Sequence, residues 1–243
     1  MAIVKKYPAK VVSVHSQITG VYTLEFESLG KPFKYEPGQF LHLALDEYDP
    51  SGQWPDSRCF SMHSSPEEPT LKISYAAKGK FTSKMEKQLQ VGSEITLKLP
   101  YGDLFTQPHN KQNTVFIAGG TGITPFLSLF THKSFNDYTN PHIYLGFRSK
   151  EYNIYQDELE HMQTIRAIRP NSCNSHSSSN SSKFVKSFFQ DEDGIIDIHQ
   201  IFNDNGITSD YFISGPPVMI KAFKQALIAK GVPSFQIKAD EWE

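Results

Sequence analysis

Apolar and polar residues alternate with a period of two through six short segments of the first hundred residues, at 9–18, 21–28, 38–45, 57–65, 70–77 and 94–100. That period puts every second side chain on one face, so each segment predicts a strand with one buried side. Turn-rich pieces such as "EPGQ" and "EYDPSGQWPDS" separate them, and one helix-like piece, "FTSKMEKQL", interrupts the series. Six short strands in so little chain predict a closed antiparallel barrel or a sandwich.

The rhythm changes after "QPHNKQN". Apolar strands are expected at 114–119, 142–148, 164–170, 210–215 and 234–242, with helical patterns starting at Thr124 and running over 155–163 and 216–231. Strands joined by helical crossovers predict an α/β Rossmann-like parallel sheet covered on both faces. The domain boundary is expected near His109, giving domains 1–108 and 109–243. The Ser/Asn-rich stretch 171–183 cannot bury apolar surface and is expected to be a surface loop. Its functional alternative is a set of hydroxyls that reach a cofactor phosphate.

Composition narrows the function classes. Lys plus Arg is 24 against 26 for Asp plus Glu, a net charge of −2, which offers no broad electrostatic case for nucleic acid or an anionic membrane. Two cysteines, Cys59 and Cys173, argue against a disulfide framework or a Cys-ligated iron–sulfur cluster in this chain. The start "MAIVKKYPAKVV" lacks a signal-peptide core and no apolar run approaches membrane-spanning length, so a cytoplasmic protein without membrane insertion is expected. The nine histidines show no metal-ligand spacing, and no metal site is expected.

Candidate chemistry begins at "FIAGGTGITPF", where Gly119, Gly120 and Gly122 separate an apolar run from Thr124-Pro125. The Lys-Ser/Thr ending of a P-loop is missing, and Pro125 stands where a dinucleotide fingerprint has its third glycine. The helix start nevertheless offers unpaired N–H groups and a dipole that suit a pyrophosphate, with Pro favoured in the first turn. Absent side chains at Gly120 and Gly122 would admit a flat ring or a phosphate; the alternative is a tight turn without ligand. "SGPPVM", Ser214 to Met219, again follows a strand and precedes a helix, and in a parallel sheet both turns lie at the carboxyl ends where ligands bind. In the first half, Arg58 of "RCFS" could pair with a diphosphate, Phe60 could stack on a ring and Ser61 could hydrogen-bond to it. "GKFTSKM" adds a glycine and two hydroxyls at a helix start, a second possible anion site. The plain alternatives are a barrel strand and an ordinary N-cap.

Together these pieces resemble the ferredoxin–NADP⁺ reductase superfamily. Arg58-Cys59-Phe60-Ser61 is similar to its Arg-x-Tyr/Phe-Ser flavin motif, "GKFTS" to its flavin-diphosphate helix start and "PYGDLF" to its Pro-x-Gly-x-Phe strand end. "GGTGITP" and "SGPPVM" resemble its two nicotinamide-nucleotide motifs, and all five occur in the family's order. The resemblance implies a six-stranded Greek-key FAD barrel followed by an NAD(P) domain. It implies that Arg58 holds the FAD diphosphate, Phe60 packs on the flavin or ribityl chain and Ser61 sits near flavin N5. N–H groups around Lys80, Phe81, Thr82 and Ser83 complete the diphosphate site. Gly120, Thr121 and Gly122 admit the nicotinamide half of NAD(P)H, with Gly215, Pro216 and Pro217 as the facing wall. "ADEWE" resembles the family's acid-x-aromatic close, with Asp240 in place of Glu and Trp242 as a cover for the isoalloxazine or a packed terminal aromatic. Ser214 stands where the family often has Cys. Cys59 falls at the variable position of the flavin motif and is assigned no chemical role.

The implied reaction moves hydride from nicotinamide C4 to flavin N5 of bound FAD and then electrons to a separate acceptor, a protein such as a ferredoxin or oxygenase component or a small molecule. Bulk at the Gly120–Gly122 turn is expected to block the nicotinamide. Arg148 and Lys150 follow the second parallel strand with no acid at its end, which leans toward NADPH over NADH. Two alternatives stay open: a reductase that uses free flavin as substrate, and a non-catalytic nucleotide-binding subunit.

Overall fold

The structure, a computed structural model, describes residues 3–168 and 184–240. β1 (Lys5–Ile18) and β2 (Val21–Ser28) form a hairpin whose two-residue turn ends in Gly20 at φ 81°, a conformation that suits glycine. β3 (Phe40–Ala44), β4 (Ser57–Ser61), β5 (Leu71–Ala76) and β6 (Glu94–Tyr101) complete an antiparallel sheet in the order β4-β3-β6-β1-β2-β5. The segment after β4 returns to β5, with His63 N–H donating to Lys72 O at 2.8 Å, so the two outer strands meet. Leu24, Phe26, Leu41, Leu43, Leu71, Ile73, Leu97 and Leu99 fill the interior and are fully buried. Their period of two is what the sequence displayed. α1 (Lys80–Gln88) closes one end through buried Met85.

The second sheet is parallel and ordered β11-β10-β7-β8-β9. It comprises β7 (Asn113–Gly119), β8 (Asn140–Phe147), β9 (Val185–Phe189), β10 (Asp210–Ser214) and β11 (Ile237–Asp240). α2 (Thr124–Phe130), α3 (Gln156–Ile168), α4 (Ile198–Asn205) and α5 (Pro217–Ala229) connect the strands. Phe116 and Phe212 face one apolar cluster, with Phe126 and Leu127 of α2; Ile117, Tyr144 and Ile213 face another, with Ile220 and Leu227 of α5. Both faces are therefore covered.

One expectation is corrected here. Residues 164–168, read as the start of a strand, continue α3. Asp157 and Glu158 suit its first turn, and Tyr155, Leu159 and Met162 form a buried stripe at helical spacing that starts one residue before it. The strand beside β8 is instead β9, and α4 was not anticipated. The Ser/Asn-rich stretch 171–183 and residues 169–170 lie outside the described residues.

Residues 102–112 join the two sheets and are tied down. His109 Nε2 pairs with the Tyr138 hydroxyl at 2.7 Å, and the Asn110 N–H donates to Asp210 Oδ2 at 2.6 Å. Further bonds cross between the sheets' layers: Ser128 Oγ donates to Ser64 O at 2.6 Å, Lys133 pairs with Glu67 at 2.6 Å, and His63 Nε2 lies 3.1 Å from Glu158 Oε1. Among the described residues no helix is long and apolar enough to cross a membrane.

Candidate active site

The carboxyl ends of β7, β10 and β11 meet the end of β4. Ser61 closes β4, and its hydroxyl donates to Asp240 Oδ2 at 3.0 Å. Ser214 ends β10 in register with Asp240, and its hydroxyl donates to the same oxygen at 3.3 Å. All three side chains are buried. Burial pushes the Asp240 carboxyl up to about 7, and the two hydroxyl donors work against that rise without cancelling it. A carboxyl that titrates near neutrality, shared by two hydroxyls at a strand edge, can hold or release a proton there. Trp242 lies outside the described residues.

The two glycine turns pack on each other. Gly120–Ile123 is a 3-10 turn between β7 and α2, and Pro125 sits in the first turn of α2. A Cβ on Gly122 would lie 2.5 Å from Gly215 Cα and 2.7 Å from the Ser214 carbonyl carbon; one on Gly215 would lie 3.0 Å from Gly119 N. Gly122 is therefore required by the neighbouring backbone, a packing reason for glycine beside the one expected from a ligand. Gly120 differs. At φ +55° its Cβ position meets nothing within 4 Å, so this is where the turn leaves open space. Thr121 is part-exposed, its carbonyl accepting the Thr124 hydroxyl at 3.0 Å, and Pro216 and Pro217 are exposed at the start of α5.

The two anion-binding candidates of the first half converge. The Arg58 guanidinium lies 5.1 Å from the Phe81 ring of α1, so the flavin-like strand and the helix start share one surface. Arg58 is half-exposed and pairs with Asp56 at 2.6 Å. The first intrahelical bond of α1 runs from Ser83 N–H to Gly79 O, which leaves the N–H groups of Lys80, Phe81 and Thr82 ahead of it. The Thr82 hydroxyl is engaged, accepting from Gly79 N–H and Lys78 N–H at 3.0 Å each, so it shapes the turn and is not a free anion ligand. Space is open beside Gly79. A cation, a row of forward N–H groups and an open glycine suit a diphosphate, and these residues fit FAD.

Two motif residues have protein partners of their own. Phe60 is nine-tenths buried in the barrel core, edge-on to Tyr75 at 6.0 Å, so most of its ring serves packing. Cys59 lies 3.6 Å from His42 Nε2, and burial raises its thiol pKa. Beyond β8, Arg148 covers the Tyr152 ring at 5.3 Å and Lys150 pairs with Glu192 at 2.8 Å. The sequence suggested two free cations and no acid; the acid arrives from the end of β9. Glu192, His63 and Glu158 were missed because nothing local marks a contact between segments distant in sequence. Among the described residues no group of His, Cys, Asp and Glu could hold a metal ion.

The fold that carries these residues, a six-stranded antiparallel sheet followed by a five-stranded parallel sheet covered by helices, has counterparts among known proteins. The sequence profile of the oxidoreductase NAD-binding domain matches residues 116–225. The reductase component of propane 2-monooxygenase from Mycolicibacterium smegmatis is 30% identical over 216 residues, covering 86% of this chain. The chain spans 60% of that relative's length. A ferredoxin NADP⁺ reductase from Neisseria gonorrhoeae with bound FAD and NADP superposes with a TM-score of 0.72 at 20% identity, covering 97% of this chain and 98% of that one. A cytochrome P450 reductase from Amycolatopsis superposes with a TM-score of 0.75 at 17% identity, covering 98% and 70%. The fold is thus that of ferredoxin–NADP⁺ reductase-like proteins, and residues 116–225 match the oxidoreductase NAD-binding domain.

Proposed function

We propose that this chain takes hydride from NAD(P)H onto FAD and passes the electrons to a separate protein, of the kind served by the reductase components of oxygenases. The observation that carries the reading is the meeting of Ser61, Ser214 and Asp240 where the barrel faces the open glycine turn. The relatives' names supply the class of acceptor. In this reading residues 1–108 hold the flavin and 109–243 the nucleotide.

Bound FAD would supply the hydride-accepting and one-electron chemistry. Arg58 and the N–H groups of Lys80, Phe81 and Thr82 hold its diphosphate. Open space at Gly120, with Thr121 beneath and Pro216 and Pro217 opposite, admits the nicotinamide ring. Reacting atoms about 3–3.5 Å apart demand such a tight slot, and the Gly122–Gly215 contact sets its width. Ser61 and Ser214 direct their hydroxyls to Asp240, which keeps a proton available at the ring edge and a dry, fixed hydrogen-bonding floor below it.

Arg58→Ala tests the flavin half. Purified protein is expected to lose most of its bound FAD while retaining its thermal transition. Unchanged flavin content would contradict the assignment.

A further inference from the structure

Beyond β8 and β9 two short segments of opposite charge run side by side. Gln190 N–H donates to Phe147 O at 2.9 Å and Asp191 N–H to Arg148 O at 3.3 Å, so the end of β9 is laid along the end of β8. The turn that follows is tight. Glu192 N–H and Asp193 N–H both return to Phe189 O, and the Asp193 carboxylate accepts the Phe189 N–H at 2.9 Å. This holds Asp191, Glu192 and Asp193 beside Arg148 and Lys150. Lys150 Nζ sits 2.8 Å from Glu192 Oε2, and Glu192 first, then Asp193 and Asp191, raise the Lys150 ammonium pKa above its ordinary value. Arg148 stays over the Tyr152 ring.

At the carboxyl edge of such a sheet the adenosine ribose is read at the strand ends next to the phosphate-binding turn. A 2′-hydroxyl can donate to a carboxylate. A 2′-phosphate brings about two negative charges, needs free cations, and is repelled by each carboxylate nearby. Here three carboxylates face two cations, and one of those cations is already paired.

We infer that the Lys150–Glu192 pair and its flanking acids select NADH against NADPH. The inference rests on the reductase reading of the same site and reverses the preference that Arg148 and Lys150 suggest in isolation. Glu192 acts on the nucleotide through Lys150 and through its own charge.

Calorimetric titration of the intact protein with NAD⁺ and with NADP⁺, at low and high ionic strength, tests it. NAD⁺ is expected to bind at least about tenfold more tightly at low salt, with the gap narrowing as salt screens the carboxylates. Glu192→Gln, a substitution at a half-exposed side chain, is expected to tighten NADP⁺ several-fold and leave NAD⁺ within about twofold. Glu192→Asp should keep the preference. NADP⁺ binding as tightly as NAD⁺ to the unmodified protein, or a ratio unmoved by Glu192→Gln, would overturn the inference while leaving the reductase reading intact. Binding of neither nucleotide would overturn both.

Discussion

The Ser61 hydroxyl donates to the Asp240 carboxylate at 3.0 Å across 179 positions of sequence, tying the last residue of a barrel strand to the last described residue of the parallel sheet. One hydrogen bond thus reports the register between the two parts. It also places a titratable group where the flavin and nicotinamide are proposed to meet. Its consequences for pH follow from burial.

Asp240 has a raised pKa, about 7 against 3.8. The folded state therefore holds a proton that the unfolded chain releases, and that contribution is complete below pH 4 and lost as pH rises through 7. The difference corresponds to an upper bound of roughly 4 kcal/mol. Asp240→Asn should gain stability relative to the unmodified protein as pH rises from 4 to 8, read by chemical denaturation at each pH. A pH-independent difference would show that Asp240 is ionised throughout. Ser61→Ala and Ser214→Ala each remove a donor and should move the titration higher.

Gly122 and Gly120 should respond differently to the same methyl group. At Gly122 it would press on the Ser214–Gly215 backbone, and Gly122→Ala is expected to cost about 2–3 kcal/mol and to weaken nucleotide binding by parting the turns. At Gly120 only the left-handed backbone resists, at about 1 kcal/mol, so Gly120→Ala should fold well and still bind nucleotide poorly. Equal thermal transitions for the two variants would contradict this division.

His63 and Glu158 hold the barrel against α3. His63 Nδ1 engages the Ser74 hydroxyl at 2.9 Å, and Nε2 faces Glu158. Burial works to raise the Glu158 carboxyl, but His63 and Lys72 outweigh it and leave the pKa below its ordinary value. Glu158 is more than a third exposed, so screening trims the interaction. Glu158→Gln should cost about 1 kcal/mol at neutral pH, a cost that fades as pH falls through the carboxylate range. A double-mutant cycle with His63→Ala should give a coupling of at least about 0.5 kcal/mol, and zero coupling would rule out a direct contact.

Lys238 and Asp210 form a fully buried pair at 2.7 Å, and Asp210 also anchors the joining segment through Asn110. Lys238→Met leaves the carboxylate buried without its cation and should cost about 3–5 kcal/mol, measured by denaturant titration. A loss under 1 kcal/mol would mean that Asn110 alone satisfies it.

The barrel was legible because Leu41, Leu43, Leu97 and Leu99 alternate with polar neighbours, and alternation is a local property. β7 and β10 were legible as apolar runs ending in glycine turns. β9 was not, since Val185–Phe189 is short and follows a Ser/Asn-rich stretch, while 164–168 carries β-branched residues that the acidic start of α3 overrides. At the site, the residue types were visible and their partners were not. Gly122 reads as space for a ligand and only the fold shows Gly215 packed against it, while Lys150 reads as a free cation until the end of β9 brings Glu192 beside it.

The central claim is tested most directly by the visible spectrum of the purified protein under anaerobic conditions, before and after adding NADH or NADPH. The account predicts a bound flavin spectrum that bleaches, faster with NADH. A colourless protein that stays inert with added FAD would contradict it.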